Sequence, residues 1–265
     1  MADSNAVRPK PRTKGIYLLP NLFTTGTLFG GFYAILMSME GRFEVACIGI
    51  LVAMIADGLD GRIARLTNTS TDFGKEFDSL CDMVAFGVAP AVLIYAFSLH
   101  YLGNYHWLGG KLGWVIAFAY AACTSMRLAR FNVLAAIASS NKDFFGVPSP
   151  AAAAIVTFFV WSCVDDSHSL FAWITGTPPF DGATMLWAAA PLTLLTALSM
   201  VSSIRYNSFK KVNAGGRMKF ISFAAIIGLL LLVMIDPPRV LFLVFFGYAL
   251  SGPISMLLRR KKQAA

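Results

Sequence analysis

Residues 42–100 read RFEVACIGILVAMIADGLDGRIARLTNTSTDFGKEFDSLCDMVAFGVAPAVLIYAFSLH, two apolar runs joined by a short polar connection. The runs, 42–66 and 74–100, are each long enough for a helix that crosses about 30 Å of hydrocarbon. The connection between them, TNTSTDF, has the polar composition of a turn. The pattern predicts two membrane helices that form a hairpin, with acidic residues near the end where the helices meet.

The remainder of the chain shows the same apolar grouping. Of its 265 residues, 57% are hydrophobic and 14% are charged, whereas soluble domains carry about 25% charged residues. Further runs of helical length cover residues 18–38, 112–138, 149–166, 183–204, 217–235 and 238–257. The sequence therefore predicts an all-α fold, a polytopic transmembrane helical bundle of about eight spans.

Polar segments mark the borders of a single unit. Residues 1–14 are rich in Pro, Lys and Arg, so we expect a basic cytoplasmic arm there. Every connection between apolar runs is short, which predicts one transmembrane domain over 15–258. A basic cytoplasmic tail is expected over 259–265.

The basic residues are distributed asymmetrically along this pattern. If the N-terminus is cytoplasmic, all of the 22 Lys and Arg residues except Arg42, Lys111 and Arg239 fall on the cytoplasmic side. This bias follows the positive-inside rule, so the net charge of +8 indicates topology and contact with anionic lipid, and not nucleic acid. We expect both termini in the cytoplasm and, because no organellar targeting segment is recognised, a bacterial inner membrane.

Four aspartates lie where the two helices of the predicted hairpin meet. Asp57 and Asp60 are three residues apart, and Asp78 and Asp82 are four apart, so each pair shares one helical face. Four carboxylates in a low-dielectric site repel one another unless a cation compensates them. Oxygen ligands without His or Cys favour Mg²⁺, Mn²⁺ or Ca²⁺ over zinc, and Mg²⁺ usually shares its shell with a phosphate. The hairpin therefore predicts a divalent-metal site for a phosphorylated ligand.

A buried ionic cluster that only locks the helices together is the alternative interpretation of these aspartates. Gly58 and Gly61 favour binding, because they remove side-chain bulk beside the acids and allow a ligand or a helix to approach. Arg65 lies one turn beyond Gly61 and could reach a phosphate.

The spacing of these residues is that of a known signature. They read DxxDGxxAR, eight residues, then GxxxDxxxD, which resembles the CDP-alcohol phosphotransferase family at every fixed position: Asp57, Asp60, Gly61, Ala64, Arg65, Gly74, Asp78 and Asp82. The resemblance implies that Asp57, Asp60 and Asp78, in a metal site that extends to Asp82, hold a divalent metal, Mg or Mn, on the CDP pyrophosphate. It implies that Asp82 is the general base for the acceptor hydroxyl. For the nucleotide and the lipid phosphate it implies contacts from Gly61, Ala64, Arg65, Gly74, Asn21 and Thr24.

Further stretches are similar to the phosphatidylserine synthase branch of that family: residues 20–24, 78–90, 127–132, 145–151 and 200–206. Cys81 and Ala85 depart from this branch, which more often has Ala and Ser at those positions. The resemblance implies transfer of a phosphatidyl group from CDP-diacylglycerol to L-serine, with phosphatidylserine and CMP as products. It also implies a homodimer.

The acceptor site must be sought outside the signature. Serine is a zwitterion, so its site should offer a cation to the carboxylate. Four polar residues lie at predicted cytoplasmic helix ends, level with the aspartates: Arg127, Arg130, Asn132 and Arg205. Of these, Arg130 and Arg205 are the candidates for a carboxylate or a lipid phosphate, although each arginine could instead serve only to set the topology.

Two other functions stay open at this point. Choline, glycerol 3-phosphate or an inositol phosphate could replace serine as the acceptor, because the signature does not identify the alcohol. The acidic cluster could also be the cation site of a membrane transporter. The chain shows no clear inverted repeat, and its acids lie toward one face of the membrane, which favours the enzyme.

Overall fold

The computed structural model describes residues 18–67, 71–104, 107–137, 146–165, 180–204 and 220–263. Within these ranges the chain is helical and contains no β-strand. The helices are α1 Leu18–Met39, α2 Phe43–Thr67, α3 Asp72–Asp82, α4 Ala89–Phe97, α5 Trp107–Ile137, α6 Ser149–Val164, α7 Leu186–Val201, α8 Phe220–Ile235 and α9 Pro237–Gln263. A π-helical turn, Met83–Val88, joins α3 to α4, and a 3₁₀-helix, Leu99–Asn104, follows α4.

The helices coincide with the predicted apolar runs, which confirms the all-α membrane fold. Among the described residues, four stretches are long and apolar enough to cross a membrane: Asn21–Met39, Asp72–Phe97, Lys111–Leu134 and Pro237–Met256. The number of crossings, the side of each terminus and the single domain over 15–258 stay predictions. The arm over 1–14 lies outside the described residues, and α9 continues into the predicted tail as far as Gln263.

The first two helices approach each other closely through small residues. A Cβ atom added at Gly30 would lie 2.8 Å from the carbonyl oxygen of Gly49 and 3.1 Å from Cβ of Ala53. Farther toward the start of α1, the Thr27 hydroxyl donates to the carbonyl oxygen of Ala53 over 3.5 Å. Small residues at a helix contact allow the backbones to approach. The antiparallel register that results brings the beginning of α1 to the end of α2.

The predicted hairpin forms between α2 and α3. Thr71 caps α3 by accepting a hydrogen bond from the backbone amide of Gly74 at 3.0 Å, which satisfies one of the free amides at the helix start. The first helix packs against both arms of this hairpin. The end of α2 and the beginning of α3 therefore face one common region beside the beginning of α1.

The third apolar run is not one uninterrupted α-helix. The amide of Ala89 donates to the carbonyl of Val84, five residues earlier, in the π-helical turn after Asp82. Pro90 stands just inside α4, and it has neither an amide hydrogen nor room for the carbonyl of residue 86 in α-helical geometry. The apolar pattern predicts a helical run over 74–100 but does not indicate this change of helical pitch.

Helix α6 forms the centre of the bundle. Its residues Ala151, Ala152, Ala153, Ala154, Ile155 and Val156 are all buried, so neighbouring helices cover every side of it. Helices α2, α4 and α9 are among those that pack on it. Small alanines at this position allow the surrounding helices to converge.

The contact between α1 and α2 predicts the effect of a single methyl group. We expect Gly30→Ala to lower the free energy of unfolding by about 1–3 kcal/mol, because the new Cβ would meet the Gly49 carbonyl. Gly228→Ala in α8 is the matched control, since nothing lies within 4 Å of its Cβ position and Ala is the better helix former. Thermal unfolding of the purified protein in detergent measures both, and equal midpoints would contradict the close contact.

Candidate active site

Three aspartates converge at the junction of the hairpin. Asp57 and Asp60 of α2 and Asp78 of α3 each place a carboxylate oxygen within 4.8 Å of the other two. Asp60 is buried, and Asp57 and Asp78 are half-buried. The helical spacing brings Asp57 and Asp60 to one face, and the turn between the helices adds Asp78 from the second arm.

Asp60 is held in place by two hydrogen bonds. The Thr24 hydroxyl of α1 donates to Oδ2 of Asp60 at 2.9 Å, and both residues are buried. The backbone amide of Gly61 also donates to the Asp60 carboxylate. Such contacts orient a metal-binding carboxylate and tune its affinity. Thr24 was predicted as a phosphate contact, and in the structure its hydroxyl contacts the Asp60 carboxylate of the cluster.

The beginning of α3 adjoins the beginning of α1. A Cβ atom at Gly74 would lie 3.5 Å from Oδ1 of Asn21 and 3.1 Å from Oγ1 of Thr71. Asn21 and Gly74, both predicted for the nucleotide or the lipid phosphate, are therefore neighbours. Ala64 and Arg65 lie in the last turns of α2, and their side chains are outside the described part of the structure. Their predicted contacts stay predictions.

Asp82 lies one turn beyond Asp78, outside the group of three. It interacts electrostatically with all three aspartates and with Arg127. Its Oδ1 atom is buried and has no hydrogen-bond partner among the described residues. A buried acceptor without a partner costs free energy, so this oxygen is available to a proton or to a ligand in the site.

Arg127 of α5 provides a positive charge near Asp82. Its Nη1 donates to the hydroxyl of Ser149, the first residue of α6, at 2.7 Å. Its Nε is buried and has no partner within the described ranges. Tyr248 of α9 interacts electrostatically with the same guanidinium. Arg127 and Asp82 thus have opposite charges and interact with each other. Each also has one buried atom, Nε and Oδ1, without a hydrogen-bond partner among the described residues.

The other residues predicted for the acceptor have different surroundings. Arg130 donates from Nη1 to the carbonyl of Val201 at 3.1 Å, a bond that ties α5 to the end of α7. Asn132 donates from Nδ2 to the Ser79 hydroxyl at 2.9 Å, which ties α5 to α3. Arg205 lies outside the described residues. Among the predicted acceptor residues that the structure describes, Arg127 is the one that combines a hydrogen bond to the Ser149 hydroxyl with an electrostatic interaction with Asp82.

Sequence reasoning missed two side chains at this site. Ser149 lies between Pro148 and Pro150 within a stretch already noted for its resemblance, but nothing in that pattern assigns its hydroxyl to an arginine. Tyr248 belongs to an apolar run with no polar pattern around it. The hydrogen bond of Ser149 and the electrostatic interaction of Tyr248 with Arg127 depend on where α6 and α9 lie relative to α5.

The donor set fits a hard divalent cation. Oxygen ligands lie about 2.0–2.1 Å from Mg²⁺ and about 2.3–2.6 Å from Ca²⁺, so oxygens on opposite sides of one such ion are about 4–5 Å apart. The three carboxylate oxygens lie within 4.8 Å of one another, which is in this range. All three are carboxylates, the ligands that Mg²⁺ and Mn²⁺ prefer. Beside this group, Asp82 and Arg127 offer a proton acceptor and a cation. The arrangement can bind a metal-bound phosphate on one side and a small charged molecule on the other.

Comparison with known proteins places this site in a family. The family model described as CDP-alcohol phosphatidyltransferase matches residues 17–188, which include all four aspartates and Arg127. A Helicobacter pylori protein named CDP-diacylglycerol–serine O-phosphatidyltransferase is 37% identical over 243 residues, covering 91% of this chain and 92% of that protein. A Mycobacterium bovis protein of the same name is 32% identical over 208 residues, with 72% of this chain and 67% of that protein covered.

An archaeal relative extends the similarity to another lipid class. The archaetidylserine synthase of Methanothermobacter thermautotrophicus is 38% identical over 143 residues, covering 53% of this chain and 57% of that protein. The region that the family model matches includes the signature that runs from Asp57 to Asp82. The chain belongs to the CDP-alcohol phosphatidyltransferase family.

Proposed function

We propose that the protein transfers the phosphatidyl group of CDP-diacylglycerol to the hydroxyl of L-serine, which gives phosphatidylserine and CMP. The observation that carries this proposal is the buried Oδ1 of Asp82, which has no hydrogen-bond partner among the described residues and belongs to a side chain beside the three-aspartate cluster. The names of the bacterial relatives, similar over 72–91% of this chain, support serine as the acceptor.

Asp57, Asp60 and Asp78 are the proposed ligands of a divalent metal, Mg or Mn, and Asp82, which interacts electrostatically with all three, is proposed as a further ligand. A metal held by these carboxylates would supply positive charge that offsets the charge of the diphosphate. Thr24 and the Gly61 amide keep the Asp60 carboxylate oriented toward that position. Gly61, Ala64, Arg65, Gly74 and Asn21 are the proposed border of the site for the nucleotide and the lipid phosphate.

Asp82 is the proposed general base. An alcohol is a poor nucleophile at neutral pH, so a carboxylate near its proton assists the attack. The serine oxygen forms a bond to the lipid-bearing phosphorus, and the bond from that phosphorus to the CMP oxygen breaks. The proton of the hydroxyl passes to the carboxylate of Asp82, and CMP departs with the electron pair.

Arg127 is the proposed partner of the serine carboxylate. Its Nε has no partner in the described part of the structure, while Nη1 is held by Ser149, so the guanidinium is oriented before the acceptor arrives. Arginine binds carboxylates with two hydrogen bonds in a fixed geometry. Arg130 and Asn132 are proposed to support this region by holding the end of α5. Arg205 stays a candidate for a lipid phosphate.

We further propose eight spans with both termini in the cytoplasm. The active site is proposed to lie on the cytoplasmic side of a bacterial inner membrane. The placement of the basic residues supports this orientation. The aspartates lie at the ends of α2 and α3 beside a polar connection, where a water-soluble acceptor can meet the headgroup while the acyl chains stay in lipid. A homodimer is expected from the resemblance alone.

The proposal predicts the effect of removing one charge without changing the shape of the side chain. We expect Asp82→Asn to lower acceptor-dependent CMP release by about 100-fold or more, because the amide cannot take the proton. Asp72→Asn is the matched control: it lies on the same helix, is fully exposed, and pairs with Lys75 at the surface. CMP release from CDP-diacylglycerol with Mg²⁺ or Mn²⁺ in detergent measures both variants.

The same assay identifies the acceptor. Serine, choline, glycerol 3-phosphate and myo-inositol 1-phosphate are offered separately to the wild-type protein. Release with serine alone is the expected result. Release with another alcohol would keep the chemistry and replace the acceptor, whereas folded protein that releases CMP with none of them would favour the transporter.

A second prediction concerns the metal. We expect Thr24→Val to raise the Mg²⁺ concentration for half-maximal activity by about 10- to 100-fold, because Asp60 loses the hydrogen bond that orients it. Thr25→Val is the matched control, since the neighbouring hydroxyl is exposed and bonds only within α1 to the carbonyl of Asn21. Titration of chelator-treated protein with Mg²⁺ gives the comparison, and superimposable curves for the two variants would argue against a role for Thr24.

A third prediction concerns the acceptor. We expect Arg127→Gln to raise the KM for serine by about 10- to 100-fold, because the serine carboxylate would lose a hydrogen bond to a charged group. The KM for CDP-diacylglycerol should change far less. Arg42→Gln removes an exposed arginine near the start of α2 and should leave both constants unchanged. If Arg127→Gln alters only the KM for the lipid, Arg127 serves the lipid phosphate and not the serine.

A further inference from the structure

The π-helical turn Met83–Val88 begins at the residue after Asp82. Each residue of an α-helix advances the rotation about the helix axis by about 100°. A π-helical turn contains an additional residue, so it changes the rotation of α3 relative to α4. On one side of the turn, Asp78 and Asp82 point to the site. On the other side, Leu93, Ile94 and Phe97 of α4 are buried in the core. The turn therefore sets the direction of Asp82 relative to the packed part of the same span.

The sequence contains a cause for this turn. In α-helical geometry the carbonyl of Phe86 would accept a hydrogen bond from residue 90, which is a proline. Proline has no amide hydrogen, and its ring clashes with the carbonyl four residues earlier. The Phe86 carbonyl therefore cannot make the usual α-helical hydrogen bond, and a donor from another helix stabilises it, since a buried carbonyl without a partner costs free energy.

Tyr120 of α5 supplies that donor. Its hydroxyl donates to the carbonyl oxygen of Phe86 at 3.1 Å, and the side chain is fully buried. One turn farther along α5, the Thr124 hydroxyl donates to the backbone carbonyl of Tyr120 at 3.0 Å. A side chain on α5 thus holds the centre of the π-helical turn.

Two glycine contacts leave the turn little space to move. A Cβ atom at Gly31 of α1 would lie 2.6 Å from Cα of Ala85. A Cβ atom at Gly87 would lie 3.2 Å from Cγ2 of Thr124. The turn is therefore enclosed between α1 and α5, and a hydrogen bond at its centre has a defined geometry to hold.

We propose that Tyr120 is a positioning residue for the transfer reaction: by bonding the Phe86 carbonyl it holds the π-helical turn and with it the direction of the Asp82 carboxylate. Arg127 lies seven residues farther along α5, two turns away on the same face. One face of α5 then orients both the base and the cation for the acceptor. This inference rests on the proposed function, because the role of Asp82 is part of it.

The test is Tyr120→Phe, which removes the hydroxyl and keeps the ring. We expect kcat for CMP release to fall about 10- to 100-fold, since a displacement on the order of 1 Å in a reacting group has an effect of this size. The KM values for CDP-diacylglycerol and serine should stay within about twofold of the wild type, because Asp57, Asp60 and Arg127 lie on other helices and keep their places. Rates are normalised to the folded, monodisperse fraction from size-exclusion chromatography.

Thr193→Val is the matched control. It removes a fully buried hydroxyl that donates to the carbonyl of Ala189 within α7, away from the π-helical turn. Both variants lose one buried hydrogen bond, so similar falls in melting temperature are expected from both. Only Tyr120→Phe should change kcat. If kcat is unchanged in Tyr120→Phe, falls equally in the control, or falls together with a rise in KM, Tyr120 does not position Asp82.

Should Tyr120→Phe not fold, Pro90→Ala tests the same turn from within its helix. It gives the Phe86 carbonyl an amide donor four residues along, so kcat should fall while the melting temperature does not; an unchanged kcat would overturn the inference. No CMP release from the wild type would overturn the proposed function and this inference together. Release from the wild type with undiminished kcat in Tyr120→Phe would overturn this inference alone.

Discussion

Carboxylates inside a membrane protein cost free energy unless a cation, a hydrogen bond or an opposite charge compensates them, and the structure is arranged around that constraint. Asp60 receives two hydrogen bonds, from Thr24 and from the Gly61 amide. Asp82 interacts with Arg127 of another helix. The oxygens of Asp57, Asp60 and Asp78 are close enough to share a divalent cation. The acids are thus compensated by groups from several elements: Thr24 of α1, the Gly61 amide of α2 and Arg127 of α5.

Small residues and single hydrogen bonds at the helix contacts bring these elements together. Gly30 and Gly49 allow α1 and α2 to approach until Thr24 reaches Asp60 from 36 residues away. Thr71 starts α3 at the point where Asp78 can join the pair on α2. The alanine-rich α6 at the centre places Ser149, at its first turn, against Arg127. Helix packing therefore determines the chemistry, because it decides which hydroxyl and which charge each carboxylate or guanidinium meets.

Most of the side chains described at the site lie within the region that the family model matches. The family model covers α1 through the first residues of α7, and so includes the aspartates, Tyr120, Arg127 and Ser149. Tyr248 of α9, which interacts with Arg127, lies beyond that region. The H. pylori relative matches across 91% of the chain. The four aspartates thus lie within the region that the family model matches, while Tyr248 belongs to a helix outside it.

Apolar run length and residue spacing were sufficient to predict the all-α membrane fold, the hairpin of α2 and α3, and the convergence of Asp57, Asp60 and Asp78. These are consequences of local geometry, since helical periodicity alone sets which residues share a face. The partners of Arg127, the bonds of Arg130 and Asn132 to neighbouring helices, and the buried environment of Asp82 were decided only by the tertiary structure. So was the π-helical turn: Pro90 disturbs the α-helix locally, but the hydroxyl that satisfies the Phe86 carbonyl comes from Tyr120, 34 residues away. Contacts between helices depend on register and rotation, which hydrophobic pattern leaves undetermined in a bundle whose surfaces are all apolar.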